Sequence, residues 1–189
     1  MLLLATLASL LAPAPAPAPA VGACITMNTD KLPLNKRVSP LDSISFKVEK
    51  SDVKLCYSRP SLKGRTMIGG ESVPYGKIWR TGSNEPTMIH TSGPLEIAGV
   101  KVEAGTYSIY TVPGEKEWEV IVNRSITQWG HESSYTPEVQ KQEVGRGKVK
   151  AETLKAPVEK LTFSAEPNSE KTKQLVLTWQ TMRVAIPLK

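Results

Sequence analysis

From Ile44 onward apolar and polar residues mostly alternate along this chain, and no other feature restricts its fold as much. Successive side chains of a strand point to opposite faces, so a period of two marks strands with one buried face. Ile44, Phe46 and Val48 share one face of such a run, and Val53, Leu55 and Tyr57 share one face of the next. Leu95-Glu96-Ile97 and Val100-Lys101-Val102 flank Ala98-Gly99, which predicts a hairpin about a tight turn. Thr106–Val112 and Trp118–Asn123 predict a second hairpin, joined by Pro113-Gly114-Glu115-Lys116. Val158–Ala165, Gln174–Trp179 and Arg183–Leu188 read as further strands, and only Thr136–Gln142 reads as briefly helical. About eight or nine short strands between turn signals predict an all-β, mostly antiparallel single domain. The expected form is a β-sandwich, jelly-roll-like or barrel-like.

The first 23 residues follow a different rule. Met1–Leu11 is nearly all Leu and Ala, a Pro-Ala repeat follows to Ala20, and no charged residue precedes Asp30. A short apolar run with small residues behind it reads as a signal peptide over residues 1–23, although the usual basic start is missing. The exit Val21-Gly22-Ala23-Cys24 resembles a lipobox, which makes Cys24 a candidate for lipidation. Cleavage at an alanine would instead leave Cys24 a plain thiol, and pairing with Cys56 would give a disulfide. Residues 24–42 are polar, contain Pro33 and Pro40, and read as a tether; residues 43–189 form the expected domain. The expected location is the periplasm or cell envelope, with a lipid anchor as the sole link to a membrane.

The net charge of +6 falls entirely on the part after the leader, which favours anionic surfaces or ligands. The basic residues are dispersed and carry no nucleic-acid motif, so no nucleic-acid partner is expected. Two cysteines and the isolated histidines His90 and His131 give no metal-site spacing. Neither a metal nor a cofactor is expected.

Residues 57–87 break the alternation. They contain Tyr57-Ser58-Arg59-Pro60-Ser61-Leu62-Lys63-Gly64-Arg65 and, further on, Val73-Pro74-Tyr75-Gly76-Lys77-Ile78-Trp79-Arg80-Thr81-Gly82-Ser83-Asn84. A long irregular stretch inside a domain is usually functional or specially packed. These runs, followed by Ala104-Gly105-Thr106-Tyr107-Ser108, resemble a bacterial secreted family, domain of unknown function 2911, over roughly residues 39–188. The resemblance implies an exported β-rich domain and supplies no activity. Ser83 and His90 stand where that family more often has alanine and an apolar or aromatic residue.

Arginine offers a planar fork of donors suited to carboxylate or phosphate, and Tyr75 and Trp79 offer flat faces for a sugar. The expected ligand-binding set is therefore Arg59, Lys63, Arg65, Tyr75, Trp79, Arg80 and Asn84, converging on an anionic small molecule or an envelope glycan. An enzyme of the hydrolase type at this surface is the second reading; Ser61 with Lys63 is its nearest approach to a nucleophile and base. A purely structural role is the third, in which the arginines satisfy backbone carbonyls and Trp79 anchors the loop in the core.

Overall fold

Alternation becomes strands wherever the sequence shows it. The computed structural model describes residues 22–169 and 172–189, and the expected leader lies, but for its last two residues, outside them. Among the described residues nine strands form: β1 (Leu41–Val48), β2 (Ser51–Ser58), β3 (Thr87–Thr91), β4 (Leu95–Ile97), β5 (Val100–Val102), β6 (Gly105–Val112), β7 (Glu117–Asn123), β8 (Glu143–Pro167) and β9 (Lys173–Leu188). Helix α1 (Pro137–Gln140) is a single turn, begun by Thr136, whose hydroxyl accepts from the Val139 amide. The β4–β5 turn places both Ala98 and Gly99 at positive φ, 50° and 86°, the backbone a two-residue hairpin of this twist requires.

All strands join one antiparallel sheet in the order β1-β2-β3-β6-β7-β8-β9-β4-β5. The fold is all-β, and the sheet does not close into a barrel. Its two halves are made continuous by β8, which pairs with β7 up to Lys150 and with β9 from Ala151. The register of β8 against β9 shifts on either side of Val158, so the long strand bends there instead of running flat. Inward side chains of both halves then meet in one core: Leu55, Ile89, Ile109 and Val120 from the first, Phe163, Leu177, Val184 and Ile97 from the second. Tyr57 packs edge-on against Phe163 at 4.8 Å between ring centroids and accepts the Phe163 amide hydrogen at 3.2 Å. The result is sandwich-like.

The first half is also covered on its other face. Cys56, Met88, Tyr110 and Ile121 point away from the shared core and are buried nonetheless. Residues 124–142 lie over part of this outer face: the Ser108 hydroxyl donates to the Ser125 carbonyl, and Tyr110 meets Tyr135 edge-on at 4.6 Å. The rest is covered by the segment that the sequence suggested was a tether. A disulfide joins Cys24 to Cys56, and the Arg37 guanidinium donates to Glu85 at 2.7 Å and to the Met27 carbonyl at 2.7 Å. The Met27 amide donates to the same carboxylate at 2.6 Å. Residues 24–40 are thus a strap fastened to the domain, because a buried carboxylate on the domain draws in the strap's arginine. The disulfide occupies the Cys24 sulfur that a lipid thioether would need, so in this structure Cys24 is a crosslink.

Candidate functional site

Residues 59–86 link β2 to β3 and are nailed down by apolar side chains. Leu62, Met67, Ile68, Val73 and Trp79 all enter the core. Gln180 of β9 accepts from the amides of Met67 and Ile68 and donates to the Ile68 carbonyl, holding the turn that carries Glu71 and Ser72. Trp79 pairs with Thr111 through two backbone hydrogen bonds, 2.7 and 2.9 Å. Its indole stacks on Trp179 at 5.8 Å, meets Trp118 edge-on at 6.1 Å and donates to the Gly82 carbonyl. Trp79 is a loop anchor in the core and has no face left for a sugar.

With Trp79 extended and pointing inward, its neighbour Arg80 leaves on the opposite side. The chain then turns sharply through Thr81, at φ 56°, whose buried hydroxyl meets that of Thr111 at 3.1 Å. Asn84, at φ 59°, donates to the Ser39 carbonyl and the Ser58 hydroxyl, and its own carbonyl accepts from the Gly130 amide. A Cβ at Gly130 would lie 2.4 Å from Arg80 Cδ and 2.5 Å from the Asn84 oxygen. Only glycine lets the 124–135 loop lie against the arginine stem, which brings His131 and Glu132 beside Arg80.

Between this loop and the 71–80 segment opens a cleft of about 520 Å³, lined by Glu71, Ser72, Pro74, Lys77, Ile78, Arg80, His131 and Glu132. A second hollow of about 350 Å³ shares Glu71 and Ser72 and reaches Arg65. The Arg80 side chain makes no hydrogen bond or ion pair among the described residues, and its Nε is buried without a partner. Burial lowers its pKa, while the nearby Glu132 and the Tyr110 phenol act in the opposite direction. A guanidinium keeps its charge at neutral pH regardless. Tyr110 itself is pushed up to about 12, mainly by burial, and its oxygen accepts from Gln128 at 2.7 Å.

The other expected residues do not converge on this cleft. Arg59 spends its guanidinium on the Leu161 carbonyl, the Asp42 carboxylate and the Thr162 hydroxyl. Arg65 folds back onto the carbonyls of Leu62 and Ser61. Lys63 occupies a turn at φ 49°, its amide held by Glu159, with its side chain exposed. Tyr75 is 40% exposed and lies over Gly69, where an added Cβ would meet the ring at 2.8 Å. Arg59 and Asn84 are structural, because each satisfies neighbouring chain, and a common anion site for the whole set does not form. Of the set, Arg80 alone lines the larger cleft.

Lys77, Glu71, His131 and Glu132 were not in the expected set. His131 reads in the sequence as a solvated loop residue, and it does cap a short 3₁₀ turn, Glu132–Ser134, by accepting from the Ser133 amide. Nothing in the local pattern joins it to Arg80; the juxtaposition comes from Gly130. For the enzyme reading, no hydrogen bond among the described residues joins Ser72 to His131, Lys77 or a carboxylate. The described residues also hold no group of three or more His, Cys, Asp or Glu side chains placed to take a metal.

The fold is an all-β, sandwich-like antiparallel sheet whose 59–86 connection is pinned against it and lines a cleft with the 124–142 connection. A family model described as a protein of unknown function (DUF2911) matches residues 39–188, and the chain belongs to that family. The strap up to Val38 precedes the matched region. No curated protein and no solved structure matches the chain.

Proposed function

We propose that this protein is an exported binding module that takes a small anionic ligand in the cleft at Arg80. The observation that carries this reading is the half-buried guanidinium with no partner, its Nε fully desolvated beside an open cleft. A charged donor removed from water costs free energy until an acceptor meets it, and a carboxylate or phosphate does so with charge-assisted hydrogen bonds. Lys77 adds a second cation to the same cleft. Among the described residues no Phe, Tyr or Trp side chain lines the cleft, so the reading favours recognition of charge over stacking on a sugar ring. Export is supported by the apolar leader and by the Cys24–Cys56 disulfide, a crosslink that persists in oxidising compartments.

The test is a thermal-shift titration of the oxidised protein with phosphate, sulfate, acetate and citrate, each against sodium chloride at equal ionic strength. At least one anion should raise the melting temperature, and at a hundredfold excess over Kd the gain corresponds to about 2.7 kcal/mol. Arg80→Gln should abolish the shift, whereas Lys63→Gln, outside the cleft, should keep it. If no anion exceeds chloride, or if Arg80→Gln responds like the parent protein, the cleft is not an anion site.

A further inference from the structure

The cleft carries charges of both signs, and among the described residues no ion pair closes across it. Lys77 and Arg80 take part in no ion pair among the described residues, and neither does Glu71; the ion partner of Glu132 is His131 of its own loop, at 3.7 Å and exposed. A ligand bearing only negative charge would dock on Arg80 with two carboxylates in the same cleft, and like charges at close range repel. A ligand that also carries an ammonium group turns that repulsion into attraction. From these unneutralised walls we infer that the ligand is a small zwitterion, an ammonium and a carboxylate on one compact skeleton, with Arg80 and Lys77 receiving the carboxylate and Glu132 and Glu71 the ammonium. Pro74 and Ile78 supply the apolar part of the lining, suited to a short aliphatic stem. The cleft volume of about 520 Å³ admits a dipeptide or an amino-sugar acid. This inference rests on the anion-binding reading of the same cleft.

Four dipeptide probes separate the two ideas by calorimetric titration of the full oxidised chain. L-alanyl-L-alanine carries both charges, its N-acetyl derivative only the negative one, its C-terminal amide only the positive one, and the N-acetyl amide neither. Muramic acid and N-acetylmuramic acid repeat the comparison on an amino-sugar acid. At least one free zwitterion should bind about tenfold or more tightly than its N-acetyl counterpart, as an added ion pair in a partly desolvated cleft predicts. In Glu132→Gln and Glu71→Gln that ratio should shrink toward one. Equal or tighter binding of the N-acetyl compounds would overturn the zwitterion assignment and leave the anion site standing. Binding of none of the probes, while phosphate or citrate still raises the melting temperature, would also overturn it. Failure of every anion as well would remove both readings.

Discussion

His90 shows how one residue's surroundings set a property of the whole domain. Its place in β3 directs it to the outer face of the sheet, opposite Lys54 on β2 and Thr106 on β6. Nδ1 lies 2.7 Å from the Thr106 hydroxyl, while Nε2 is buried without a partner. Burial, aided by the charge of Lys54, holds the imidazole pKa below its ordinary value of 6.5. The unfolded chain therefore binds a proton more readily than the folded one at acid pH. Stability from the neutral ring is present in full above pH 6.5 and declines as pH falls from there through the lower folded value. Urea unfolding at pH 7.5 and pH 5.5 should show a lower midpoint at the acid value, and His90→Gln should narrow the difference. Hydrogen bonds from Arg146 hold Glu143 below the usual carboxylate range, against the opposing effect of burial, so its titration lies outside the pH 5.5–7.5 comparison. An equal pH dependence in parent and variant would count against the account.

At the scale of elements, the strap matters most, because its attachment is both covalent and electrostatic. The Cys24–Cys56 bond spans a sequence separation of 32, and a closed loop of that size restricts the unfolded chain enough to stabilise the fold by about 2–4 kcal/mol. The Arg37–Glu85 pair has side chains exposed by only 0% and 5%, and losing one partner of a buried pair leaves an uncompensated charge. Cys24→Ala should lower the unfolding free energy by about 2–4 kcal/mol, read as a lower urea midpoint at unchanged slope, and reduction of the parent protein should reproduce that loss. A midpoint insensitive to both changes would mean that the strap contributes nothing to stability. The strap also shows what the sequence does and does not reveal. Strands are legible because alternation is a local signal: the Ala98-Gly99 turn predicts the pairing of Leu95–Ile97 with Val100–Val102 that β4 and β5 make. The strap reads as a tether in the sequence because its fastening points, Glu85 in the 59–86 connection and Cys56 in β2, lie far along the chain. A hint was present in Val120-Ile121-Val122, a continuous apolar run that suits a strand covered on both faces rather than on one. Tyr107 and Tyr110 follow the same logic: they lie on opposite faces, as their spacing requires, yet both are buried because both faces have cover. In the site, Arg80 is visible within its motif, whereas the loop that completes the cleft is joined to it only through the close approach of Gly130.

For the molecule as a whole, the decisive element is β8, since it belongs to both halves of the sheet. Its first part is a neighbour of β7 and its second part a neighbour of β9, so neither half can lose its strand order without exposing the end of the other. The tryptophans reinforce this coupling: Trp118 comes from β7 in the first half, Trp179 from β9 in the second, and Trp79 from the irregular connection packs against both. Aromatic packing across the two halves contributes only when both are in place, with each pair worth about 0.5–1.5 kcal/mol beyond the area it buries. Unfolding in denaturant should therefore be a single transition. Tryptophan fluorescence reports the junction of the halves and far-ultraviolet circular dichroism reports all strands, so the two curves should superimpose at one midpoint. Trp79→Leu should lower that midpoint for both signals together, corresponding to a loss of about 2–4 kcal/mol of stability for an incompletely refilled aromatic site. A fluorescence change that precedes the loss of strand signal would show that the halves part before they melt, and β8 would then be a hinge between two units rather than the strand that makes them one.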